Sequence, residues 1–290
     1  MTPRKASPEV TSNTRSDARS RATAAARKIT IAATVLSTTL IPIGVATAAQ
    51  AHAAPAAITA HAAPAPLAIS VPGVQNARTF ANYTTHSGMR ISDKVIRSAN
   101  LSGLTPAGVG VLQRHGLRSI IDLRTQLEST VQPDRVVPGA TRRSFDVLGA
   151  VPASYLVDLP SAYRAFVTDA HAREAFRASL LDIKNTVGAG GSVLFHCSAG
   201  KDRTGWLSAV LLTVLGVDRQ VVDADFLASN SFRHASPTDP LNGVNIGLLN
   251  AAFAAADKTY GSFENYVHKG LRLSDSDIAG LKKALLLPSI

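Results

Sequence analysis

The fold is decided by the stretch Ser192-Val193-Leu194-Phe195-His196-Cys197-Ser198-Ala199-Gly200-Lys201-Asp202-Arg203-Thr204-Gly205, which leads into the apolar segment 206–212. Its first four residues form a short apolar run behind a glycine-rich turn, which is typical of a buried strand. The segment after Thr204 is typical of a helix. A loop between a strand and a helix start collects backbone N–H groups at the positive end of the helix dipole. This stretch therefore predicts a pocket for a tetrahedral oxyanion.

Two side chains of this loop carry chemistry. Cys197 lies at its floor, where N–H donors and Arg203 are expected to lower the thiol pKa from about 8.5 to roughly 3.5–7.5, which makes it a thiolate nucleophile. Arg203 offers a planar pair of donors to two oxygens of a phosphoryl group in transfer. We expect His196 to orient the loop and Thr204 to hydrogen-bond the departing sulfur. Phosphate binding is expected of Ser198, Ala199, Gly200, Lys201, Asp202 and Arg203.

Three other interpretations fit the stretch less well. A Walker phosphate loop needs a glycine where Phe195 stands and a Ser or Thr where Asp202 stands. A papain-like thiol protease needs a different sequence around its Cys. The last is a buried, structural Cys197 with Arg203 on the surface by coincidence. The strand, loop and helix context favours the oxyanion pocket.

Apolar periodicity outside the stretch predicts one α/β domain. A second β-branched run, 117–123, predicts another buried strand. The windows with helical spacing are 105–115, 161–170, 172–187, 204–215, 219–228, 243–257, 262–268 and 274–286, the last with a cap at Ser274. Few strands among many helices predict a short, mostly parallel central sheet flanked by helices.

The spacing Cys-x5-Arg-Thr after a His resembles the Cys-dependent protein tyrosine phosphatase superfamily, in particular its bacterial branch with Lys-Asp in the loop. The resemblance runs from about residue 76 to 286 and includes Ile96-Arg97-Ser98-Ala99-Asn100-Leu101, Ile121-Asp122-Leu123-Arg124 with Glu128, Asp225-Phe226-Leu227-Ala228-Ser229-Asn230, and Tyr260-Gly261-Ser262 with Tyr266. The chain departs from the family at 76–83, where it lacks an Asp and glycines that the family often has. The resemblance implies a single tyrosine-phosphatase-like domain.

A phosphate monoester also needs an acid to protonate its leaving oxygen. The resemblance implies Asp122, at the carboxyl end of a strand, and Asp202 inside the loop is the rival. Asp122 could instead form a structural ion pair with Arg124 or a neighbouring Arg. We expect Asp122 to serve the first step and Asp202 the second. Lys201 is expected to add positive charge at the pocket mouth, and in related phosphatases a basic residue there accompanies phosphoinositide or inositol substrates.

Composition excludes several other classes of protein. The 290 residues hold 30 Lys and Arg, 20 Asp and Glu, and one Cys. A single Cys excludes an internal disulfide framework and a zinc site built on several thiolates. The sequence has neither the basic run nor the interleaved aromatic residues of a nucleic-acid binder. We expect no metal, no cofactor and no nucleic-acid partner.

The N-terminal region has the order of a secretory signal peptide. A basic stretch ends at Arg27-Lys28, an apolar run follows to about Val45, and Ala-x-Ala sites lie within 49–53. The alternative is an uncleaved membrane anchor, which the polar residues and Pro42 in the run disfavour. We therefore expect a signal peptide at 1–53, an Ala/Pro-rich spacer at 54–72 and the catalytic domain at 73–290. The mature protein is then secreted, without stable membrane insertion.

These expectations combine into one hypothesis, a secreted phosphatase that hydrolyses phosphate monoesters through a phosphocysteine at Cys197. Its substrate would be a phosphorylated protein or a phosphoinositide, with phosphotyrosine, phosphoserine and phosphothreonine all open. The alternative is a catalytically weak module on the same fold that binds phosphorylated ligands. The intact Cys197, Arg203 and candidate acids argue against that alternative.

Overall fold

The computed structural model describes residues 63–288. The predicted signal peptide, 1–53, and the first part of the predicted spacer lie outside these residues. No helix among the described residues is long and apolar enough to cross a membrane.

The described chain folds into short strands and longer helices. The strands are β1 (Leu67–Ala68), β2 (Arg78–Thr79), β3 (Arg90–Ile91), β4 (Val95–Ser98), β5 (Leu117–Asp122), β6 (Thr141–Ser144), β7 (Ser192–His196) and β8 (Leu286–Leu287). The helices are α1 (Pro106–Arg114), α2 (Gln126–Val131), α3 (Leu159–Thr168), α4 (Ala170–Gly188), α5 (Arg203–Leu215), α6 (Arg219–Arg233), α7 (Ile246–Tyr260), α8 (Phe263–Asn265) and α9 (Asp275–Leu285). A 3₁₀ turn at Ala153–Leu156 and a π turn at Tyr266–Gly270 complete the set.

The central sheet has the strand order β1-β2-β4-β7-β5-β6. Strands β4, β7, β5 and β6 are parallel, whereas β1 and β2 are antiparallel at one edge. The register places Asp122 of β5 beside both His196 of β7 and Ser144 of β6. Since the carboxyl ends of the parallel strands meet at one edge, the loop after β7 opens where α/β folds collect their sites. The predicted mostly parallel sheet flanked by helices is confirmed.

Side chains along β5 and β7 alternate between the two faces of the sheet. Ile121 and Phe195 join the larger core, which includes residues of α3, α4, α5, α7 and α9. Ile120 and Leu194 join the smaller core with α1 on the opposite face. Helix α5 is buried along nearly its whole length, as expected for a central helix. The alternation fixes which face each residue of the site can reach.

Local signals explain where several helices begin. The Thr105 hydroxyl accepts from the third N–H of α1, and Pro106 occupies the first turn, where its missing donor is harmless. Thr125 with Glu128 forms a capping box at α2. Ser274 forms another at α9, so the predicted cap is confirmed.

The structure adds elements that periodicity did not predict. Strands of two to four residues, such as β2 and β6, are too short to show a readable alternation. Helix α2 has only six residues and no buried face. Helix α6 continues to Arg233, beyond the predicted end at 228.

The predicted spacer is wrong at its C-terminal end. Leu67 and Ala68 pair with β2 as an edge strand of the sheet, and Val71 is buried in the smaller core. The packed fold therefore begins before Gly73. A strand of two residues and one buried valine cannot be recognised in a segment whose composition is dominated by Ala and Pro.

Candidate active site

The loop after β7 has its carbonyl groups bound from outside. The Ser198 carbonyl accepts from the main-chain N–H and side-chain amide of Asn100, at 3.2 and 2.8 Å. The side-chain amide of Asn76 donates to the Gly200 carbonyl at 2.8 Å. By contrast, the N–H groups of residues 198–203 donate to no described residue. The loop thus offers a run of free donors at the start of α5, the arrangement that binds an oxyanion.

A buried ion-pair network supports the loop from below. Arg97 of β4 donates to the Gly200 carbonyl at 2.9 Å and pairs with Asp225 of α6. Arg78 of β2 donates to the other oxygen of Asp225 at 3.0 Å. Burial alone would raise the pKa of Asp225, but the charges and hydrogen bonds of Arg78 and Arg97 lower it. The network therefore connects β2, β4 and α6 to the loop through the Asp225 carboxylate.

Gly200 is required by both conformation and space. Its φ of +67° lies in the left-handed region, which residues with a Cβ rarely adopt. A Cβ at this position would lie 2.2 Å from the Ser98 carbonyl oxygen. Any side chain here would push the loop away from β4.

The Cys197 thiol lies at the floor of the loop. It follows β7 on the side of the larger core and is only 1% exposed. Burial raises the thiol pKa, but the Arg203 charge and hydrogen bonds from Thr204 lower it by more, against the opposing charge of Asp202. The net shift is downward. This environment favours the thiolate, the reactive form of the side chain.

Arg203 is held in place by Glu128 of α2. Its two terminal nitrogens donate to the two Glu128 carboxylate oxygens at 2.6 and 2.7 Å. The Ser198 hydroxyl donates to the same carboxylate at 2.5 Å. The Nε–H of Arg203 donates to no described residue, so one edge of the guanidinium stays available to a ligand. Glu128 therefore orients the phosphate-binding fork before a ligand arrives.

The Glu128–Arg203 pair predicts an acid-dependent contribution to stability. Burial raises the pKa of Glu128, but hydrogen bonds and charge from Arg203, with Ser198 and the Thr125 N–H, lower it from 4.5 to about 2. Because the folded-state pKa lies below the unfolded one, the stabilisation is present above about pH 4.5 and is lost as the pH falls toward 2. Urea unfolding of wild type and Glu128→Gln across this range should show the difference in unfolding free energy shrinking with acid. A difference that is constant down to about pH 3 would contradict the ion pair.

Asp202 lies at the start of α5, within the phosphate loop itself. Its carboxylate accepts from the hydroxyl of Tyr163 in α3 at 3.1 Å, and from the Lys201 amine at 2.9 and 3.1 Å. Its charge acts on the Cys197 thiol. The carboxylate is therefore positioned from two sides and lies close to the nucleophile, as a proton donor to a leaving oxygen must.

The structure corrects the expected position of Lys201. The residue is 2% exposed, and its amine contacts Asp202 and the Gly243 carbonyl, the latter at 3.1 Å. The Lys201 charge is therefore paired inside the protein and is not available at the mouth of the pocket. The sequence could not reveal this, because Gly243 reaches the loop only through the packing of the segment between α6 and α7.

Asp122 does not reach the nucleophile. It lies on the α1 face of the sheet with Ile120, and its side chain is fully buried. Arg124 donates to both of its oxygens at 2.7 and 2.8 Å, and Arg142 donates to one at 2.5 Å. Burial raises the pKa of Asp122, but these contacts and the His196 charge lower it well below its usual value. These contacts fit the structural ion pair that the sequence left open for Asp122 better than the role of general acid, since two guanidinium groups enclose the carboxylate.

His196 lies behind the loop, next to the same cluster. Its Nδ1 lies 3.2 Å from the Cys197 carbonyl, which fits the expected orienting role, and its Nε2 lies 3.2 Å from Asp134. Asp122, Asp134 and His196 place one ligand atom each within 4.8 Å of one another, a spacing that a metal could use. However, Arg124 pairs with both carboxylates. The guanidinium supplies the charge that a cation would, so the donor set fits an ion-pair network better than a metal centre.

A comparison with known families identifies the architecture. The family model described as "Tyrosine phosphatase family" matches residues 69–287. The chain belongs to this tyrosine phosphatase family. As its relatives are named phosphatases, it is a protein-tyrosine phosphatase enzyme.

Individual relatives of this phosphatase are distant but extensive. The triple specificity protein phosphatase PtpB of Mycobacterium tuberculosis is 26% identical over an alignment of 281 positions, gaps included, that covers 74% of this chain and 98% of the relative. A tyrosine-protein phosphatase of Nostoc commune is 30% identical over an alignment of 227 positions that covers 67% of this chain and 74% of the relative. The crystal structure of P. aeruginosa TpbA is 18% identical, covers 76% of this chain and 96% of TpbA, and has a TM-score of 0.34.

Sequence reasoning about this phosphatase missed the residues that hold the loop. The segments that resemble the family include Arg97, Glu128 and Asp225, but the sequence assigned no function to these three residues. A signal existed, since a charged residue inside an otherwise apolar strand or helix is seldom buried without a partner. Tyr163 and Asn76 had no such signal, because a single Tyr or Asn is common in any helix or turn.

Proposed function

We propose that this phosphatase hydrolyses phosphotyrosine in proteins through a phosphocysteine intermediate on Cys197. The observation that carries the proposal is the combination of a thiol of lowered pKa with free N–H groups from residues 198–203 at the start of α5. The donors bind three phosphate oxygens, and the thiolate below them attacks phosphorus. Arg203 adds a planar donor edge for the charge that spreads onto the phosphoryl oxygens.

In the first step, the Cys197 sulfur forms a bond to phosphorus while the bond to the tyrosyl oxygen breaks. The leaving oxygen takes a proton from Asp202, which enters this step in its protonated form, is held beside the loop by Tyr163 and Lys201, and leaves the step as a carboxylate. In the second step, water attacks phosphorus, Asp202 accepts a proton from that water, and the sulfur leaves as thiolate. The Thr204 hydroxyl, which is buried without a nitrogen or oxygen partner among the described residues, is free to hydrogen-bond the departing sulfur. The products are tyrosine and inorganic phosphate.

Other phosphate monoesters are secondary candidates. The relative PtpB is named a triple specificity protein phosphatase, which supports activity beyond phosphotyrosine. The Lys201 amine is bonded to Asp202 and to the Gly243 carbonyl. Its charge is therefore not available to a phosphoinositide headgroup, which weakens the argument for these substrates. One preparation assayed on phosphotyrosine peptides, phosphoserine peptides and phosphoinositide vesicles would rank the three classes. We expect phosphotyrosine to have the highest kcat/KM, and a higher value for the vesicles would contradict that ranking.

An aryl phosphate assay tests the mechanism as a whole. We expect turnover of 4-nitrophenyl phosphate to survive EDTA and to disappear in Cys197→Ser. Thr213→Ser is the matched control, because it is an equally small change in α5 and its hydroxyl donates to the Ala209 carbonyl, away from the loop. Loss of activity in EDTA, or activity in Cys197→Ser, would contradict the thiolate mechanism.

We also propose that the enzyme acts outside the cell after removal of its N-terminal segment. The sequence order of basic residues, apolar run and Ala-x-Ala sites supports cleavage between about Ala48 and Pro55. Protein collected from the culture medium should begin in that interval when its N-terminus is sequenced. Val35→Asp with Leu36→Asp, which breaks the apolar run, should keep the protein inside the cell. Recovery of chains with Met1 intact from the medium would contradict cleavage.

A further inference from the structure

A cavity of about 950 Å³ lies away from the catalytic loop, between the edge strand β6 and helix α4. We refer to it as the edge groove, and its polar lining includes Arg118, Thr141, Arg143, Arg177, Asp182 and Thr186. None of the residues 197–203 lines it. The groove is therefore a second concave surface with its own chemistry.

The edge groove has an excess of positive charge. Its one lining carboxylate among the described residues, Asp182, is taken up by Arg143 at 2.7 Å and by the Ser119 hydroxyl at 2.5 Å. Arg118 is exposed and donates only to its neighbouring carbonyl at Leu117. Arg177 has one carboxylate within reach, Glu174, at 3.8 Å. Arg118 thus faces the groove without a carboxylate partner in the described chain, and Arg177 has only long contacts, to Glu174 and to the Arg272 carbonyl at 3.4 Å, which suits an acidic ligand.

The backbone of β6 is open on the groove side. The strand pairs with β5 on one side and with no other described strand, and all four of its residues are exposed. An exposed strand edge presents unpaired N–H and C=O groups that an extended peptide can complete. Thr141 and Arg143, on the groove face of β6, would then lie beside alternate side chains of that peptide. The groove therefore fits an extended acidic polypeptide better than a compact anion.

The edge groove begins near the amino ends of the strands, at Gly116 and Gly190, and its strand β6 runs toward the catalytic edge of the sheet. Ser144 at the end of β6 lies beside Asp122, which lies beside His196, the residue before the nucleophile. With adjacent strands about 4.8 Å apart, a peptide strand added outside β6 would lie about 14 Å from β7. The peptide must also run along β6 from the level of Arg118 to that of Asp122, about 13 Å, so about six to eight extended residues cover both offsets. One polypeptide could therefore occupy the groove and place a phosphorylated residue over Cys197.

We propose that the edge groove is a docking site for an acidic, extended segment of phosphoprotein substrates, which adds as a strand to β6. The inference rests on the protein phosphatase activity, but not on which residue is the general acid. It assigns Arg118 and Arg177 to substrate selection at a distance from the chemistry.

Phosphotyrosine peptides with different tails test the proposal. Three tails are compared, on either side of the phosphotyrosine: alternating Glu and Thr, alternating Ser and Thr, and alternating Glu and Pro. We expect the Glu–Thr tail to raise kcat/KM about three- to tenfold over the neutral tail, mainly through KM, as exposed ion pairs are individually weak. The gain should fall with salt between about 50 and 500 mM. The Glu–Pro tail, which lacks half of the N–H donors, should lose most of it.

Two double variants separate the groove from general electrostatics. Arg118→Ala with Arg177→Ala should abolish the gain, whereas Arg114→Ala with Arg219→Ala, which removes the same charge elsewhere, should keep it. Turnover of 4-nitrophenyl phosphate should be unchanged in both, which shows that the catalytic site is intact. Equal loss in both double variants, or no gain from the acidic tail in wild type, would overturn docking. An equal gain from the Glu–Pro tail would overturn strand addition.

Binding without catalysis distinguishes a failure of docking from a failure of the proposed mechanism. An unphosphorylated, fluorescent Glu–Thr peptide should bind wild type and Cys197→Ser equally, as measured by anisotropy. The Arg118→Ala, Arg177→Ala variant should bind it several-fold more weakly. Anionic phosphatidylserine vesicles that bind wild type but not this variant, in the absence of peptide binding, would assign the groove to a lipid surface and overturn the proposal.

Discussion

Arg203→Lys is expected to be nearly as damaging to catalysis as Arg203→Ala. A lysine keeps the charge, but as a point charge it cannot hold Glu128 and present a second donor edge to the phosphoryl group at once. We expect kcat/KM for a phosphotyrosine peptide to fall by about a hundredfold or more, roughly 3 kcal/mol, by analogy with the loss of one transition-state donor. Steady-state kinetics on both variants measure this effect.

A stability measurement controls for damage to the fold. Arg203→Lys retains a cation beside Glu128, so its midpoint of urea unfolding should stay closer to wild type than that of Arg203→Ala, which leaves the carboxylate half-buried and unpaired. Arg233→Lys is a matched control, because Arg233 contacts the loop only through the Ala199 carbonyl. Near-native turnover by the Arg203→Lys enzyme would contradict the role of the planar fork.

Asp202→Asn should lower activity in a way that depends on the leaving group. For a phosphotyrosine peptide, whose leaving oxygen needs a proton, we expect a loss of about 10²- to 10⁴-fold in kcat/KM. For 2,4-dinitrophenyl phosphate, whose leaving group is already a weak base, kcat/KM should change little. Asparagine retains an oxygen for the Tyr163 hydroxyl but removes the charge that pairs with the buried Lys201 amine, so the midpoint of urea unfolding is measured beside the kinetics. A uniform loss for both substrates would contradict the assignment of Asp202 as acid.

Asp122→Asn is the comparison that separates an acid from a structural carboxylate. It leaves Arg124 fully buried with half of its compensating charge, and breaking such a pair costs about 3 kcal/mol of unfolding free energy. Any loss of activity should then be the same for both leaving groups and should follow the loss of folded protein. Leaving-group dependence in this variant, but not in Asp202→Asn, would restore Asp122 as the acid.

The phosphate loop and the strands that flank it could be predicted because their signals are local. A run from Ser192 to Gly205 sets the strand, the turn and the helix start within 14 consecutive residues. β5 and β7 are buried on both faces, so they read as apolar runs, and α9 has its cap within one turn. Signals of this kind need no knowledge of the rest of the chain.

The surroundings of Asp122 show what a local sequence pattern cannot predict. The position at the carboxyl end of β5 was right, but the side chain belongs with Ile120 on the face opposite to Cys197. The period of two along β5 already separates Ile121 from Asp122, so the face could have been read once the strand was accepted. The contact of Asp122 with Arg142 could not be predicted, because Arg142 lies in β6, a strand too short to recognise from the sequence.

The contacts of Lys201, Asp202 and Arg203 in the catalytic loop depend on distant segments of the chain. Lys201 is buried by the Gly243 carbonyl, 42 residues away, and Asp202 is positioned by Tyr163, 39 residues away. Glu128 reaches Arg203 across 75 residues. No local pattern encodes such pairs, which arise only when the helices pack on the sheet.

The central claim is that Cys197 carries the phosphoryl group, and trapping it is the most direct measurement. Asp202→Asn, mixed with 2,4-dinitrophenyl phosphate and quenched in acid within the first turnover, should accumulate the intermediate, because the first step needs little acid and the second lacks its base. Mass spectrometry should then find phosphate on the peptide that contains Cys197, and none in Asp202→Asn combined with Cys197→Ser. Phosphate on another residue, or release of dinitrophenol with no phosphoenzyme in repeated rapid quenches, would contradict the mechanism.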